Sequence, residues 1–254
     1  MRNKILNPLI AASLLATLLI FTTSETQAVT NNSCREMQGK VIEIEIPTTI
    51  LSETIDTKVY LPACYDSSDQ RYPVLYLLHG MGNNAEQWVA LGAPSAADEM
   101  SGRFIIVMPH DRLETSFNAA FVNEIIPFID ENFRTIDDRN YRAIGGLSYG
   151  GGWAIHIGLS HPELFSRIGG HSPALFYGDS PNLEVWAQNL LLCTLISIDI
   201  GDSDTMLEDS AAPIDALLTE AGVQHTFNIY AGGHSEDYWA THLSEYLHFY
   251  AASW

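Results

Sequence analysis

The stretch 146–150, with the sequence GLSYG, constrains the fold more than any other part of the chain. It follows an apolar, β-prone segment and leads into a helix-forming segment, so the pattern G-x-S-x-G stands in a strand–turn–helix setting. In so sharp a turn, the positions two before and two after the serine have almost no room for a side chain, because a Cβ atom would collide with the adjoining strand or helix. The pattern therefore predicts a turn that holds the hydroxyl of Ser148 at the carboxyl end of a sheet.

The hydrophobic pattern predicts about eight strands with helices between them. Residues 41–46 alternate apolar and acidic side chains, as in a half-exposed strand, and 57–61 is predicted to be its antiparallel partner. Residues 74–78 are continuously apolar, which is typical of a strand buried on both faces. The alternation of strands and helices predicts an α/β fold, with a mostly parallel sheet and helices on both faces. Further strands are predicted at 104–108, 141–144, 167–169, 195–198 and 226–230, and helices at 119–133, 150–160, 211–221 and 238–251.

Residues 1–28 have the pattern of an export signal. Arg2 and Lys4 give a positive beginning, 9–21 is largely apolar, and the sequence TQA at 26–28 is suited to cleavage. A membrane anchor is the competing interpretation, but the apolar run is shorter than the roughly 20 residues that span a bilayer. We therefore expect a signal peptide at 1–28 and a single domain at 29–254. The mature protein would be secreted or periplasmic, without stable insertion in a membrane.

The charge of the chain limits its partners. It has 12 Lys and Arg against 31 Asp and Glu, which gives a net charge of −19. A surface this acidic repels phosphate backbones and anionic lipids, so nucleic acid and membrane surfaces are not expected as partners.

Three cysteines, Cys34, Cys64 and Cys193, follow the predicted signal. In an oxidising compartment one pair would form a disulfide and leave one thiol, but the sequence does not decide which pair. None has the C-x-x-C spacing of a redox or zinc site, so all three are interpreted as structural.

The loop after the buried strand 74–78 is rich in glycine and is a candidate oxyanion site. Residues 79–84 have the sequence HGMGNN, in which glycines allow the backbone to turn back toward the sheet. With the amide of Tyr149 at the start of the following helix, the amide of Met81 would form a two-donor pocket for an oxyanion. An ordinary glycine-rich turn is the competing interpretation.

A carboxylate that orients a catalytic histidine is expected on a loop after a late strand, and residues 198–206 supply two. Asp204 stands third after Gly201, and Asp202 is the alternative. The spacing of this acidic cluster does not match a calcium-binding EF-hand loop, so no metal is predicted here.

His234 is the candidate base, because it is flanked by glycines immediately after the last predicted strand. The order Ser148, Asp204, His234 is the chain order of α/β-hydrolases and differs from those of trypsin-like and subtilisin-like proteases. Of the nine histidines, His79, His110 and His171 also lie near strand ends and are expected to line the pocket, whereas His156, His161, His242 and His248 are interpreted as packing or surface residues.

Four segments carry a resemblance to a known family: 75–88 (LYLLHGMGNNAEQW), 121–134 (FVNEIIPFIDENFR), 142–168 (RAIGGLSYGGGWAIHIGLSHPELFSRI) and 201–206 (GDSDTM). They resemble the esterase D-like branch of the α/β-hydrolases, which includes feruloyl and acetyl xylan esterases and S-formylglutathione hydrolases. The resemblance implies an α/β-hydrolase fold that needs no metal or organic cofactor. It also implies the following roles: Ser148 as nucleophile, His234 as base, Asp204 as acid, and the amides of Met81 and Tyr149 as oxyanion donors.

These roles predict a serine carboxylic-ester hydrolase that acts through an acyl-enzyme. The region 171–192 contains Phe176, Tyr177 and Trp186, which are expected, with His79 and His171, to contact the substrate. The aromatic residues would either stack on a sugar or phenolic acyl group or form a small hydrophobic lid. Export favours an extracellular or periplasmic ester, such as an acylated plant polysaccharide.

Two other functions remain open at the level of sequence. An acyltransferase would use the same three residues but pass the acyl group to a sugar or another alcohol. A non-catalytic binding module on a hydrolase fold is a different class of protein, although every catalytic position is filled. A peptidase is less favoured, because the sequence shows neither a large lid domain nor an additional domain to select peptides.

Overall fold

The computed structural model describes residues 34–111, 113–176, 178–190 and 193–254. The predicted signal peptide and Tyr177 lie outside the described residues. In the described ranges, none of the helices combines the length and apolar character that crossing a membrane requires.

One sheet of eight strands forms the centre of the molecule, in the order β1-β2-β4-β3-β5-β6-β7-β8. β1 pairs with β2, and β2 with β4, in antiparallel register, while the remaining pairs are parallel. The prediction of a mostly parallel sheet of about eight strands is confirmed. The strands are β1 Lys40–Ile46, β2 Ile55–Leu61, β3 Val74–Leu78, β4 Ile105–Pro109, β5 Arg142–Leu147, β6 Arg167–His171, β7 Leu195–Gly201 and β8 His225–Tyr230.

Helices cover both faces of this sheet. Three of them were not predicted from the sequence: Gln87–Ala90 (α1), Ala93–Glu99 (α2) and Ser180–Gln188 (α6). The predicted helix at 119–133 is divided into α3, a π-helical turn at Phe121–Ile125, and α4. Pro127 lies in the first turn of α4, where its missing N–H interrupts the regular α-helical ladder. The helices are α1 Gln87–Ala90, α2 Ala93–Glu99, α3 Phe117–Ala120, α4 Ile126–Asn132, α5 Tyr149–Ser160, α6 Ser180–Gln188, α7 Glu208–Glu220 and α8 Glu236–Ala251.

The core consists of two hydrophobic layers separated by the sheet. Tyr76 of β3 belongs to the layer that contains α3, α5 and α7, where Phe121 and Phe165 surround it. Its neighbours Leu75 and Leu77 belong to the opposite layer, beneath α2 and α8. Successive side chains of a strand point to opposite faces, so this central strand is apolar at every position.

A disulfide joins Cys34 to Cys64, and Cys193 is a free, exposed thiol. The bond anchors the start of the described chain to the segment that follows β2. For a loop of this length, the chain-entropy model gives a stabilisation of about 3–4 kcal/mol.

Candidate active site

Ser148 sits on a turn in which only glycine fits at the two flanking positions. Its backbone has φ 53° and ψ −120°, a conformation that costs a residue with a side chain about 1–3 kcal/mol. A Cβ atom on Gly146 would lie 2.2 Å from the carbonyl oxygen of Gly150, and one on Gly150 would lie 2.3 Å from the carbonyl oxygen of Leu78. The strand and the helix therefore approach each other closely enough to exclude any side chain at either position.

Backbone hydrogen bonds hold the strained turn in place. The N–H of Ser148 donates to the carbonyl of His171, at 2.9 Å, and so ties the turn to the end of β6. The carbonyl of Ser148 accepts from the N–H groups of Gly152, at 3.1 Å, and Ala174, at 3.0 Å. The position of Ser148 is thus fixed from β6, from α5 and from the loop that follows β6.

The structure brings Ser148, His234 and Asp204 into one hydrogen-bonded chain. Nε2 of His234 lies 2.9 Å from Oγ of Ser148, and Nδ1 of His234 lies 2.8 Å from Oδ2 of Asp204. A carboxylate accepts only, so Nδ1 carries the proton and the lone pair of Nε2 faces the serine hydroxyl. This arrangement can remove the proton from Ser148.

The two candidate acids have different positions. Asp204 is buried, and its second oxygen accepts from the N–H groups of Met206 and Leu207, both at 3.2 Å. Asp202 is exposed, and its carboxylate accepts from the N–H of Gly232 at 3.1 Å, which holds the pKa of Asp202 below its usual range. The geometry therefore places Asp204, and not Asp202, behind the histidine.

The loop that carries His234 is held on several sides. The N–H of Ser203, on the loop that bears Asp204, donates to the carbonyl of Gly232 at 2.8 Å. Ser235 caps α8 by accepting from the N–H of Tyr238 at 3.3 Å. The ring of Trp239 packs edge-on against the imidazole, with centroids 4.9 Å apart. The imidazole is thereby fixed in orientation before a substrate arrives.

The glycine-rich loop after β3 lies directly beside the serine. A Cβ atom built on Gly80 would come 3.6 Å from Cβ of Ser148, so the backbone that leads into Met81 passes next to the hydroxyl. Tyr149 is the first residue of α5, where an N–H has no acceptor within its own helix. The two predicted oxyanion donors therefore belong to segments that flank Ser148.

Two residues that sequence reasoning missed shape this loop. The side chain of Gln87 accepts from the N–H of Gly80 at 2.8 Å, and the indole of Trp88 donates to the carbonyl of Leu78 at 2.9 Å. Both come from α1, which was not predicted as a helix. In the sequence, the signal for this role is limited to a glutamine that follows shortly after a glycine-rich loop.

His79 and His171, which are expected to contact a substrate, both have buried side chains. Nδ1 of His79 bonds to the carbonyl of Gly80 at 2.8 Å, and its Nε2 accepts from the N–H of Asp111 at 3.1 Å. Nδ1 of His171 lies 2.5 Å from the carboxylate of Asp199, and its Nε2 bonds to the hydroxyl of Tyr250 at 2.9 Å. All four ring nitrogens are engaged inside the protein.

The predicted aromatic contacts divide into two groups. Phe176 packs against Tyr149, with ring centroids 5.1 Å apart, so it stands beside the residue that follows the serine. Burial, together with the Asp111 carboxylate, raises the pKa of Tyr149 and keeps its hydroxyl neutral. Trp186 packs instead against His156. His156 lies about 12 Å from Ser148 along α5, so Trp186 is not placed beside the serine.

His156 also joins the segment 172–190 to α5. Its Nδ1 lies 2.8 Å from the carboxylate of the buried Asp179, just before α6, and its Nε2 lies 2.9 Å from the amide of Asn118. The interpretation of His156 as a packing residue agrees with these contacts. They also fix the segment that presents Phe176.

Comparison with known proteins gives consistent similarities. The chain matches the family model described as "Putative esterase" over residues 48–250. A ferulic acid esterase of known structure superposes with a TM-score of 0.76 at 27% identity, over 85% of this chain and 99% of that one. An S-formylglutathione hydrolase from Staphylococcus aureus superposes with a TM-score of 0.70 at 16% identity, over 84% and 99%, which supports the same fold.

A curated relative matches part of the chain. An endo-1,4-beta-xylanase/feruloyl esterase from Xylanibacter ruminicola is 35% identical over 133 residues, which is 44% of this chain and 18% of that protein. The chain spans less than two thirds of the length of the curated relatives that it matches. The predicted α/β-hydrolase fold is confirmed by these comparisons together with the sheet topology.

Proposed function

The chain belongs to the Esterase family, as its resemblance to the esterase D-like branch indicated, and from this premise we propose that it is a serine carboxylic-ester hydrolase that acts through an acyl-enzyme. The observation that carries the proposal is the continuous hydrogen-bonded chain from Ser148 through His234 to Asp204. Three groups that are remote in sequence meet here in the order that a nucleophile, its base and an orienting acid require.

The first half of the reaction forms the acyl-enzyme. Nε2 of His234 takes the proton of Ser148 as Oγ bonds to the ester carbonyl carbon, and the carbonyl electron pair moves to oxygen. When that tetrahedral species collapses, the bond to the alcohol oxygen breaks and the same histidine protonates the leaving alcohol. Asp204 stabilises the imidazolium between these two proton transfers.

The second half repeats the same steps with water. His234 removes a proton from water as the oxygen attacks the acyl carbon, and the bond to Oγ of Ser148 then breaks as the histidine returns the proton. The carboxylic acid leaves and the enzyme is restored. The N–H groups of Met81 and Tyr149 stabilise the oxyanion in both halves, and one such donor contributes about 10²–10³ in rate.

We further propose that the substrate is a phenolic ester or an ester linked to carbohydrate. The partly exposed rings of Phe176 and Tyr149 beside Ser148 supply an apolar, stackable wall for an acyl group. The similarity to a ferulic acid esterase, at 27% identity over nearly its whole length, supports this substrate class. The net charge of −19 favours neutral esters over anionic ones.

We also propose that the mature enzyme, residues 29–254, acts after export and loss of residues 1–28. The disulfide between Cys34 and Cys64 supports this location, because such bonds persist in oxidising compartments.

A substrate panel tests the reaction and its class together. Purified wild type and Ser148→Ala would be assayed on p-nitrophenyl acetate, p-nitrophenyl butyrate, methyl ferulate and acetylated xylan, with the free acid quantified. We expect hydrolysis by the wild type only, with kcat/KM highest for methyl ferulate among the defined esters. Equal hydrolysis by the two proteins would overturn the proposed nucleophile.

Labelling separates catalysis from mere binding. A fluorophosphonate probe should modify Ser148 in the folded wild type, and mass spectrometry of the tryptic peptide would locate it. A folded wild type that takes no label would contradict the proposed mechanism. Transfer of the acyl group to an added alcohol, with little free acid, would assign an acyltransferase instead.

A further inference from the structure

A cavity of about 230 Å³ lies at the amino-terminal ends of the parallel strands, whereas Ser148 lies at their carboxyl ends. It is bordered by Arg167 and Leu195, the first residues of β6 and β7, whereas Ser148 follows the last residue of β5. Because β5, β6 and β7 are parallel, the two sites are at opposite ends of the strands. The other lining residues are Asn140, Tyr141, Ser166, Cys193 and Ser253.

Arg167 is 8% exposed, and its charge is incompletely satisfied. One amino group donates to Oγ of Ser253 at 3.0 Å, and the guanidinium lies 5.7 Å from the centre of the Phe249 ring. Its Nε is buried without a hydrogen-bond acceptor. Among the described residues, no carboxylate forms an ion pair with Arg167, and burial lowers its pKa.

A second buried arginine of the protein is paired with carboxylates, as buried charges usually are. Arg142, at the start of the neighbouring strand β5, is 4% exposed and has carboxylates of Asp130 and Asp137 at 2.7 and 2.9 Å. The chain contains 31 acidic residues, yet none of those that the structure describes lines the cavity beside Arg167. A buried cation without a counter-charge is costly, so a group from outside the chain would find favourable binding here.

Arg139 supplies a second guanidinium next to a residue that lines the cavity, Cys193. It donates from one nitrogen to Sγ of Cys193 at 3.0 Å, and from another to the carbonyl of Phe165 at 2.7 Å and to Oγ1 of Thr194 at 2.9 Å. In the part of the chain that the structure describes, this guanidinium also has no carboxylate partner. A second positive charge therefore lies close to the cavity.

We propose that this cavity is a binding site for a small oxyanion, a phosphate, sulfate or carboxylate group, held by the guanidinium of Arg167 and the hydroxyls of Ser166 and Ser253. The planar fork of an arginine matches two oxygens of such a group, and a bound anion supplies the missing counter-charge. The cavity is several times the roughly 30 Å³ that one water occupies, so an oxyanion fits with its water.

Binding at this edge stabilises the fold without touching the catalytic residues. A ligand that binds only the folded state raises the free energy of unfolding in proportion to the logarithm of its concentration over Kd. We therefore expect Tm to rise with anion concentration and kcat to stay unchanged.

Thermal denaturation with phosphate, sulfate and acetate, each compared with sodium chloride at equal ionic strength, tests the proposal. At about ten times Kd, we expect a rise in Tm of roughly 3–5 °C in the wild type, and above Kd the rise should grow with the logarithm of the anion concentration. Sulfate also stabilises proteins non-specifically, so the same titrations are made on Arg167→Gln and on Arg103→Gln, whose arginine is exposed. The logarithmic rise should vanish in the first variant and persist in the second.

Cys193 provides a local measurement that does not depend on any variant. It is the only thiol outside the disulfide, since the chain has three cysteines, and it lines the same cavity. A bound anion should slow its alkylation by iodoacetamide several-fold, and the Kd from this protection should match the Kd obtained from the rise in Tm. Alkylation that is unaffected by all three anions, at concentrations up to about 0.1 M, would overturn the proposal, as would equal Tm responses in wild type and Arg167→Gln. If Arg167→Gln does not fold, Arg167→Lys, which keeps the charge without the fork, should bind more weakly.

Discussion

Nε2 of His234 lies 2.9 Å from Oγ of Ser148, although 86 residues separate the two along the chain. The contact depends on two rigid supports, the strained turn that carries the serine and the capped start of α8 that carries the histidine. Because both groups are already in hydrogen-bonding geometry, little reorganisation precedes proton transfer.

Removing either group should therefore abolish most of the activity, and removing both should cost little more. We expect Ser148→Ala and His234→Ala each to lower kcat on p-nitrophenyl acetate by about 10⁴-fold or more, and the double variant to resemble either single one. Circular dichroism melting would verify that each variant folds. Losses that multiply in the double variant would show that the two residues act independently.

The two neighbouring aspartates provide a matched pair. Asp204→Asn should lower kcat by about 10³–10⁴-fold, because an amide at this position no longer selects the histidine tautomer that accepts from Ser148. Asp202→Asn should change kcat by less than about tenfold, since this exposed carboxylate accepts from the N–H of Gly232 and the hydroxyl of Ser203 and not from His234. The kcat values of both variants on one ester decide the matter, and a larger loss in Asp202→Asn would reverse the assignment.

The wall beside the serine predicts a change in acyl preference. Phe176→Leu removes the ring that packs on Tyr149, so the kcat/KM ratio of methyl ferulate to p-nitrophenyl acetate should fall by about 2–10-fold. Trp186→Phe is the control, because Trp186 packs on His156 instead. The same ratio in the wild type and Phe176→Leu would place the acyl group elsewhere.

Local backbone constraints made part of the site predictable from sequence. The close approach of Gly146 to Gly150 arises within the turn itself, and Gly150 also lies against the end of β3, so the pentapeptide was sufficient to predict a strand, a sharp turn and a helix. The chain order of Ser148, Asp204 and His234 was likewise readable, because parallel strands place their following loops at one edge.

Contacts that depend on orientation were not predictable. His171 ends β6 at the correct edge, but its side chain points into the layer beneath α8 and bonds to Tyr250 there. Sequence alone does not specify which face a strand's last residue occupies, since a shift of one position reverses it. Gln87 was missed for a similar reason, because its role depends on how the short helix α1 folds back onto Gly80.

The buried carboxylate of Asp199 predicts a large effect on stability away from the proposed nucleophile. It accepts from the hydroxyls of Tyr238, at 2.7 Å, and Tyr246, at 2.9 Å, and bonds to His171, so it ties α8 to β6 and β7. Asp199→Asn should lower the free energy of unfolding by about 2–4 kcal/mol, because an amide cannot accept all three bonds. Urea denaturation measures this change. Tyr250→Phe, which removes one hydroxyl, should cost only about 1 kcal/mol, and an equal cost in both variants would contradict the central role of the carboxylate.

Buried tyrosines in both layers of the core predict how stability depends on alkaline pH. Burial, followed by the Asp199 carboxylate, raises the pKa values of Tyr246 and Tyr250, and burial with Asp130 raises that of Tyr76. In the unfolded chain these phenols ionise at about pH 10, whereas in the folded protein they stay protonated. Their contribution to stability is therefore complete below about pH 10 and declines above it, by about 1.4 kcal/mol per pH unit for each tyrosine.

Urea denaturation at a series of pH values from about 8 to 11 checks this dependence, with tyrosinate absorbance recorded in parallel. Tyr246→Phe is the informative variant, since it lacks one of the phenols whose pKa burial raises. It should be less stable than the wild type at about pH 8, because the hydrogen bond to Asp199 is lost. Above about pH 10 its stability should decline less steeply, so that the difference between the two proteins narrows as pH rises. Parallel curves over this range would mean that Tyr246 ionises equally readily in the folded and unfolded states, contrary to its burial on the inner face of α8.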